Sequence, residues 1–234
     1  MKKLLIDCGN SRIKWGLREA GNWLALGNSV HGELDELASV WKKLPPCCAI
    51  GSNVAGKAVQ DSLEALLPGT RFEWIRASAS RCGVTNGYPD PVRLGSDRWA
   101  ALIAAKKLLP DGGIIIAAGT ALTVDILDDE GNFEGGFIMP GLATMLDSLS
   151  RTTCLEPGEG HFAFPAKNTD DAVLSGAILA LSGAIEKISR LQGNPECLIF
   201  GGDAALLLPH LGARVRMTDN LVLEGLAEIS EHAP

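Results

Sequence analysis

Leu4-Leu5-Ile6-Asp7-Cys8-Gly9-Asn10-Ser11-Arg12-Ile13-Lys14 is the stretch on which the fold turns. An apolar run ends in a carboxylate, a polar Gly-Asn-Ser follows, and a basic residue falls inside the next apolar run. The pattern predicts a tight β-hairpin with an acid at the mouth of its turn. Backbone N–H groups, a hydroxyl and an amide at such a turn are the parts that hold a phosphate chain and its magnesium. No Gly-x-x-x-x-Gly-Lys-Ser/Thr loop is needed for that. Taken alone, a strand-Asp-Gly-Asn run is more often a plain hairpin, so the rest of the chain has to decide.

Outward from this stretch, Leu4–Asp7, Ile13–Arg18 and Trp23–Leu26 read as three strands of a meander. Glu33–Leu44 carries Leu34, Leu37, Val40 and Trp41 at helical spacing and is stopped by Pro45-Pro46. Cys47–Ser52 reads as a buried strand, Ala58–Leu67 as a helix and Phe72–Ile75 as a strand. This β-β-β-α-β-α order suits a mixed sheet flanked by helices. From Ala79 to Gly95 periodicity is lost, and so long an irregular segment in a compact enzyme is often functional. A helix opens at Ser96-Asp97 and runs to about Leu109.

The logic then restarts. Ile114–Ala118 reads as a strand, Gly119-Thr120 as a turn, and Ala121–Leu127 with Phe133–Ile138 as a hairpin. A helix follows Pro140-Gly141, and Asn168-Thr169-Asp170-Asp171 caps a long helix reaching about Leu191. Leu198–Gly201 is a strand, Asp203 caps a short helix, Val215–Met217 is a strand and Leu221–Glu231 is the closing helix. Each half thus opens with an apolar strand, a glycine-containing turn and a second strand. That predicts two similar α/β domains, 1–110 and 111–234, with a cleft between them.

Composition narrows the function classes. The 234 residues are 46% apolar, enough for a substantial core. The net charge of −7 and the lack of a Lys/Arg-rich block leave a nucleic-acid partner without an electrostatic footprint. No run of about 18 apolar residues announces a membrane span, and the apolar stretch after Lys2-Lys3 stops at Asp7, too early for a secretory signal. The six cysteines show no Cys-x-x-Cys spacing and the four histidines are scattered, so neither zinc nor a disulfide framework is indicated. The expectation is a reduced, cytoplasmic protein.

Four short runs can carry chemistry. Ser11 and Thr120, each beside a turn glycine, could bring hydroxyls and N–H groups to phosphate oxygens, and Lys14 is either a phosphate cation or a surface charge. Gly95-Ser96-Asp97-Arg98 places an acid and a base in the first turn of a helix. Asp97 could accept a proton from an attacking hydroxyl and Arg98 could grip a carboxylate or a phosphoryl group, although Ser-Asp at a helix start is also ordinary capping. The two glycines within Gly135-Gly136-Phe137-Ile138-Met139-Pro140-Gly141 imply close backbone approach, by a ligand or by another piece of chain. Gly201-Gly202-Asp203 is either a simple turn or a bed for an adenine or ribose.

In this order, over nearly the whole chain, the runs resemble the motifs of type III pantothenate kinases. Asp7-Cys8-Gly9-Asn10-Ser11 with Lys14 is similar to the family's first phosphate motif, and Gly95-Ser96-Asp97-Arg98 to its substrate and catalytic motif. Gly119-Thr120-Ala121 with Thr123 and Asp125 is similar to its second phosphate motif, and Gly135 to Gly141 to its Gly-Gly-x-Ile-x-Pro-Gly element. The resemblance implies two ribonuclease-H-like domains of the actin, hsp70 and acetate-kinase type with ATP in the cleft. It also implies a homodimer that phosphorylates pantothenate in the first step of coenzyme A synthesis. On it, Asp7, Cys8, Gly9, Asn10, Ser11, Arg12, Ile13, Lys14 and Thr120 would contact ATP. Tyr88, Gly95, Ser96, Asp97, Arg98 and Thr169 would contact pantothenate, with Asp97 the general base and Mg²⁺ held through water by Asp7. Apolar Gly136–Met139 and the Met145–Leu149 helix face are candidate dimer contacts. At one position the chain departs from the pattern. Family members carry Asp two residues before the glycine of the second phosphate motif, where it helps bind K⁺ or NH₄⁺; here that residue is Ala117.

Three other readings compete. A kinase of the same architecture could act on a different small hydroxy acid or sugar. A fold-related, non-catalytic transcription accessory factor could keep the architecture, although it need not keep Asp7, Asp97, Arg98 and Thr120 together. A heat-shock-like ATPase would need a further substrate-binding domain, for which 234 residues leave no room.

Overall fold

The computed structural model describes residues 1–43, 45–154, 158–212 and 214–232, and at 35 and 36 the backbone alone. In chain order the first elements are β1 (Lys3–Cys8), β2 (Ile13–Glu19), β3 (Asn22–Ser29), α1 (Leu34–Lys43), β4 (Cys48–Asn53), α2 (Lys57–Leu66) and β5 (Arg71–Trp74). The short β6 (Ser80–Arg81) and β7 (Val84–Asn86) precede α3 (Ser96–Leu108). Then come β8 (Gly113–Ala118), β9 (Ala121–Leu127), β10 (Asn132–Pro140), α4 (Leu142–Thr152) and α5 (Thr169–Leu191). The chain closes with β11 (Cys197–Phe200), α6 (Ala204–Leu207), β12 (Val215–Met217) and α7 (Leu221–Glu231).

Contacts gather these elements into two units. The first comprises Met1–Pro110, Gly131–Phe133 and Asn220–Pro234, the second Asp111–Glu130 and Glu134–Asp219. The first unit's sheet has the order β3-β2-β1-β4-β5. Its β1–β2 and β2–β3 pairs are antiparallel, and β1–β4 and β4–β5 are parallel. In the second unit the strands run β12-β11-β8-β9-β10. There β8–β9 is antiparallel, while β11–β8 and β11–β12 are parallel. Read from β10 inward, the second order repeats the first, which is the duplication expected from the sequence.

Each sheet buries the side chains that its apolar runs supply. In the first unit Leu4, Ile6, Ile13 and Leu63 are fully buried with Trp15 and Trp41, whose rings meet edge to face at 6.2 Å. At about 1.5–3 kcal/mol for each large apolar side chain taken out of water, this cluster is what fixes β1 and β2. In the second unit Ile114, Ile116, Leu122 and Val124 form the core with Leu181 and Ile185 of α5. By length and composition α5 is apolar enough to cross a membrane. Its Ile178, Leu181 and Ile185 are instead at most 3% exposed and belong to the core.

Several expectations need correction. The closing helix was placed with the second half, but residues 220–234 group with the first unit, because α7 lies against α3. A Cβ at Gly225 would come within 1.8 Å of the Ala100 carbonyl oxygen, so only glycine lets the two helices approach this closely. Lys107 pairs with Glu228, and Lys3 Nζ donates to the Ser230 carbonyl at 2.7 Å. Residues 131–133 also fall in the first unit, because Asn132 and Phe133 pair with Thr85 and Asn86 of β7. The segment 79–95 is not wholly irregular: β6 and β7 form a two-stranded ribbon, and Pro91–Arg93 is a 3-10 turn. Strand β3 runs from Asn22 to Ser29, longer than Trp23–Leu26. Leu44, the expected end of the first helix, lies outside the described residues. Asp203 stands at the N-cap of α6, but its side chain makes no capping bond among the described residues.

Candidate active site

Asp7 is the next-to-last residue of β1. Antiparallel register sets it opposite Lys14 of β2, and parallel register sets it beside Ser52 of β4. After Cys8 the turn closes through the Gly9 N–H, which donates to the Arg12 carbonyl at 3.0 Å. The Gly9 carbonyl meets His31 Nε2 at 2.9 Å, and Arg12 Nη1 donates to Asn28 Oδ1 at 3.2 Å. Asn10, Ser11 and Arg12 are exposed, whereas Cys8 and Ile13 are buried in the core. The expected ATP-contacting run is thus a hairpin anchored at both ends by apolar side chains, with its polar turn open to solvent.

Gly95-Ser96-Asp97-Arg98 opens α3. Ordinary capping does not explain it, since Gly95 occupies the N-cap position and has no side chain to cap with. The buried Ser96 Oγ lies 2.8 Å from the fully buried Ser52 Oγ. Asp97 Oδ1 accepts from the Arg98 N–H at 2.8 Å. Arg98 is only 7% exposed. Its guanidinium lies over the Tyr88 ring at 5.8 Å and the Phe133 ring at 5.7 Å, and Nη1 donates to the Tyr88 hydroxyl at 3.1 Å. The Tyr88 and Phe133 rings are themselves 5.4 Å apart. Cation–π contact on both rings holds the guanidinium plane in place.

Electrostatics bind these pieces together. Burial pushes the Asp7 carboxyl up to about 7; the Asp97 carboxylate adds to the rise and Lys14 opposes it. Asp7, Lys14 and Asp97 are therefore neighbours in one unit. Burial and the Asp7 charge push the Cys8 thiol up to about 11, so Cys8 stays protonated and serves as core rather than nucleophile.

The remaining expected residues belong to the second unit. Thr120 is exposed in the two-residue turn between β8 and β9, and its carbonyl accepts from the Gly141 N–H at 3.0 Å and the Thr144 hydroxyl at 2.7 Å. A Cβ at Gly141 would lie 1.8 Å from the Gly119 carbonyl oxygen. The close approach expected of the strand glycines is not made at Gly135, where a Cβ would meet nothing within 4 Å; it is made at Gly141, by the turn between β8 and β9. Gly201-Gly202-Asp203 is likewise tied to this hairpin, with the Asp203 N–H donating to the Ala118 carbonyl at 3.1 Å. Thr169 is the exposed first residue of α5, after Asn168, whose side chain caps the helix by accepting from the Asp171 N–H.

Among the described residues no group of three His, Cys, Asp or Glu side chains could hold a metal ion. Asp7 does suit a cation-bridged phosphate chain: a half-buried carboxyl with the Asp97 carboxylate near it is a place where added positive charge is favourable. The monovalent-cation position is different. Ala117 faces Thr123 across β8–β9. The Thr123 hydroxyl is buried without a hydrogen-bond partner among the described residues. A methyl and a neutral hydroxyl replace the family's carboxylate, and this donor set does not fit K⁺ or NH₄⁺.

Three contributors escaped the sequence reading. Asn86 Oδ1 accepts from the Tyr88 N–H at 3.0 Å while its Nδ2 donates to the Pro91 carbonyl at 3.1 Å, bracing the Tyr88 loop. The spacing Asn86-Gly87-Tyr88 is an Asx-turn signal that could have shown it. Phe133 and Ser52 gave no local signal, because their roles depend on strand pairing distant in sequence.

An acid-ended hairpin beside a helix start bearing Asp and Arg, on a sheet of this strand order, defines a phosphoryl-transfer enzyme of the ribonuclease-H-like class. Residues 3–191 match the family described as type III pantothenate kinase. The type III pantothenate kinase of Nitrosospira multiformis is 44% identical over 97% of this chain and 90% of its own. That of Dechloromonas aromatica is 42% identical over 96% and 97%. Among solved structures, a Campylobacter jejuni protein described as a Baf family transcriptional activator superposes with a TM-score of 0.62 at 19% identity, covering 97% of this chain and 98% of that one. A Sinorhizobium meliloti protein described as a 2-dehydro-3-deoxygalactonokinase gives 0.60 at 18%, covering 99% of each. At those identities the two structures speak for the fold alone, which is the paired ribonuclease-H-like architecture expected. The chain belongs to the type III pantothenate kinase family, enzymes that use ATP to phosphorylate pantothenate at the start of coenzyme A synthesis. The transcription-factor alternative is not favoured.

Proposed function

We propose that the chain transfers the γ-phosphoryl group of ATP in line to the primary hydroxyl of pantothenate, with Asp97 accepting the hydroxyl proton. The observation that carries this reading is the first turn of α3, where the Asp97 carboxylate and the immobilised Arg98 guanidinium emerge together beside Asp7. Arg98 and the N-terminus of α3 supply positive charge to the substrate carboxylate or to the phosphoryl group in flight. Tyr88, Gly95 and Ser96 shape the pantothenate side, and Tyr88 fixes Arg98 directly. Most of the acceleration then comes from positioning and charge stabilisation rather than basicity.

In the first unit the ATP contacts are Asp7, Gly9, Asn10, Ser11, Arg12 and Lys14, with the core residues Cys8 and Ile13 offering backbone groups alone; in the second, Thr120 is the ATP contact and Thr169 a pantothenate contact. Asp7 would hold Mg²⁺ through water, and the ion's chemistry when bound is to neutralise charge on the phosphates. Asp7 must be ionised for that, and Lys14 across the hairpin favours the ionised form. No step runs through a monovalent cation, because Ala117 and Thr123 do not provide its ligands. We read the enzyme as a homodimer on the exposed apolar Phe137 and Ile138 of β10 and Leu149 of α4, which are 48%, 65% and 37% exposed. A cytoplasmic location fits the biosynthetic role and the free cysteines.

The test is pantothenate-dependent ADP formation, with and without potassium. Activity in both conditions supports the reading, and no ADP in either overturns it. Asp97→Asn is then expected to lower kcat while leaving the KM for ATP nearly unchanged; near-normal turnover at saturating substrate would remove Asp97 from the role of base.

A further inference from the structure

Ser52 and Ser96 form a buried bridge between the sheet and the helix that carries Asp97. The two hydroxyl oxygens are 2.8 Å apart; Ser52 is 0% exposed and Ser96 is 9% exposed. Ser52 sits in β4 directly beside Asp7 of β1. Ser96 immediately precedes Asp97, and Gly95 before it leaves open the space the Asp97 carboxylate enters: a Cβ there would lie 2.6 Å from Asp97 Oδ1. The start of α3 thus lacks the usual side-chain cap, and its first hydroxyl is committed to the sheet.

This arrangement uses the helix-start hydroxyl to tie helix to sheet. A hydroxyl at a helix start ordinarily satisfies one of the free N–H groups. Here it ties the first helical turn, which carries Asp97, to the strand beside Asp7. We infer that Ser52 is a positioning residue for phosphoryl transfer, which acts through Ser96 to hold the backbone of Asp97 against the strand that neighbours Asp7. Ser52 touches neither substrate nor the reacting atoms. This rests on the reading of Asp97 as base, and it adds a residue that no sequence motif marks.

The test compares Ser52→Ala, Ser96→Ala and the double variant in steady-state pantothenate phosphorylation, together with Ser52→Thr and Ser52→Val. The Thr and Val side chains share a shape and differ in the hydroxyl. A roughly tenfold or greater fall in kcat is expected for Ser52→Ala, with the KM for ATP within about twofold of wild type. The double variant should fall no further than Ser96→Ala, since the bond that Ser52→Ala removes is already lost there. Ser52→Thr should retain more turnover than Ser52→Val. Unchanged kcat in a folded variant, additive losses, or equal activity of the Thr and Val variants overturns the inference. If Ser52→Ala does not fold, Ser96→Ala at the margin of the core decides by the same measurements. Wild-type protein without pantothenate-dependent activity would strike at the proposed function instead, while a double-mutant cycle of thermal stability on Ser52→Ala and Ser96→Ala would still judge the bridge.

Discussion

The hairpins β1–β2 and β8–β9 occupy the same place in the two units, each as the central strand and its antiparallel neighbour, and they differ most at one register position. In the first, Asp7 faces Lys14; in the second, Ala117 faces Thr123. The first pair is charged and lies beside a second carboxylate, and its burial holds the Asp7 carboxyl at about 7. The second is a methyl group against a hydroxyl with no partner among the described residues. A repeated backbone therefore carries two different chemistries. The apolar residues on either side of each turn preserve the hairpin, while the register position holds a carboxyl against a lysine in one unit and a methyl group against a hydroxyl in the other.

The sharpest way to break that comparison is to neutralise the charged unit at its catalytic end. Asp97→Asn keeps the size and one oxygen and removes the proton acceptor. A fall in kcat of about 10²–10⁴-fold is expected, with ATP affinity measured by titration changing little. Comparable losses in ATP affinity would assign Asp97 to nucleotide binding.

Asp7→Asn tests the other member of the pair, and here activity and stability move in opposite directions. The Asp7 carboxyl titrates higher in the folded chain than in the unfolded one, from 3.8 to about 7. Its stability contribution is present below about pH 4 and is lost as pH rises toward 7, because the folded state resists ionisation. The unliganded wild type should lose on the order of 2–4 kcal/mol across that window. Asp7→Asn should flatten the profile and melt higher than wild type at pH 8, while its turnover falls at least tenfold. Calorimetry at pH 5 and pH 8 on both proteins checks it. A wild type equally stable at both would show that Lys14 already compensates the charge.

Gly141→Ala asks the same of the neutral unit, where the effect should be structural. The added methyl would sit 1.8 Å from the Gly119 carbonyl oxygen, a backbone atom in a turn that cannot move without breaking the Gly141 N–H to Thr120 carbonyl bond. A loss of about 1–3 kcal/mol is expected in denaturant unfolding. A neutral result would mean that the β8–β9 turn is looser than the β1–β2 turn.

These contrasts were unequally legible in the sequence. The hairpins could be read because apolar runs end abruptly at Asp7 and Ala118 around glycine-containing turns, and local alternation encodes that much. The start of α3 was found through Gly95-Ser96-Asp97-Arg98, but its anchoring was not. Ser96 looks like a cap until β4 is known to bring Ser52 beside it. Nor does anything local tell which strand end a helix N-terminus will face. Strands β6 and β7 are two and three residues long, below the length at which periodicity speaks, and exist because β7 pairs with Asn132 and Phe133. The same distant pairing gives Arg98 its second aromatic wall. The placement of α7 was missed because sequence order says nothing of the α3 surface that Gly225 lets it reach.

Ala117→Asp would restore in the second unit the kind of residue that the first retains, with the smallest expected effect and the most direct bearing on the contrast. The wild type should turn over at the same rate, within about twofold, when sodium is replaced by potassium at constant ionic strength. No carboxylate faces Thr123 from Ala117, and a neutral hydroxyl alone binds such an ion weakly against the water it must shed. The variant carries a partly buried carboxylate with no lysine across the strand, where the first hairpin has Lys14. It should be less stable by about 1 kcal/mol in sodium and recover part of this in potassium, giving a potassium-dependent melting temperature that the wild type lacks. Potassium-dependent turnover in the wild type would mean that backbone oxygens suffice without the acid. The two hairpins would then differ in side chain but not in function.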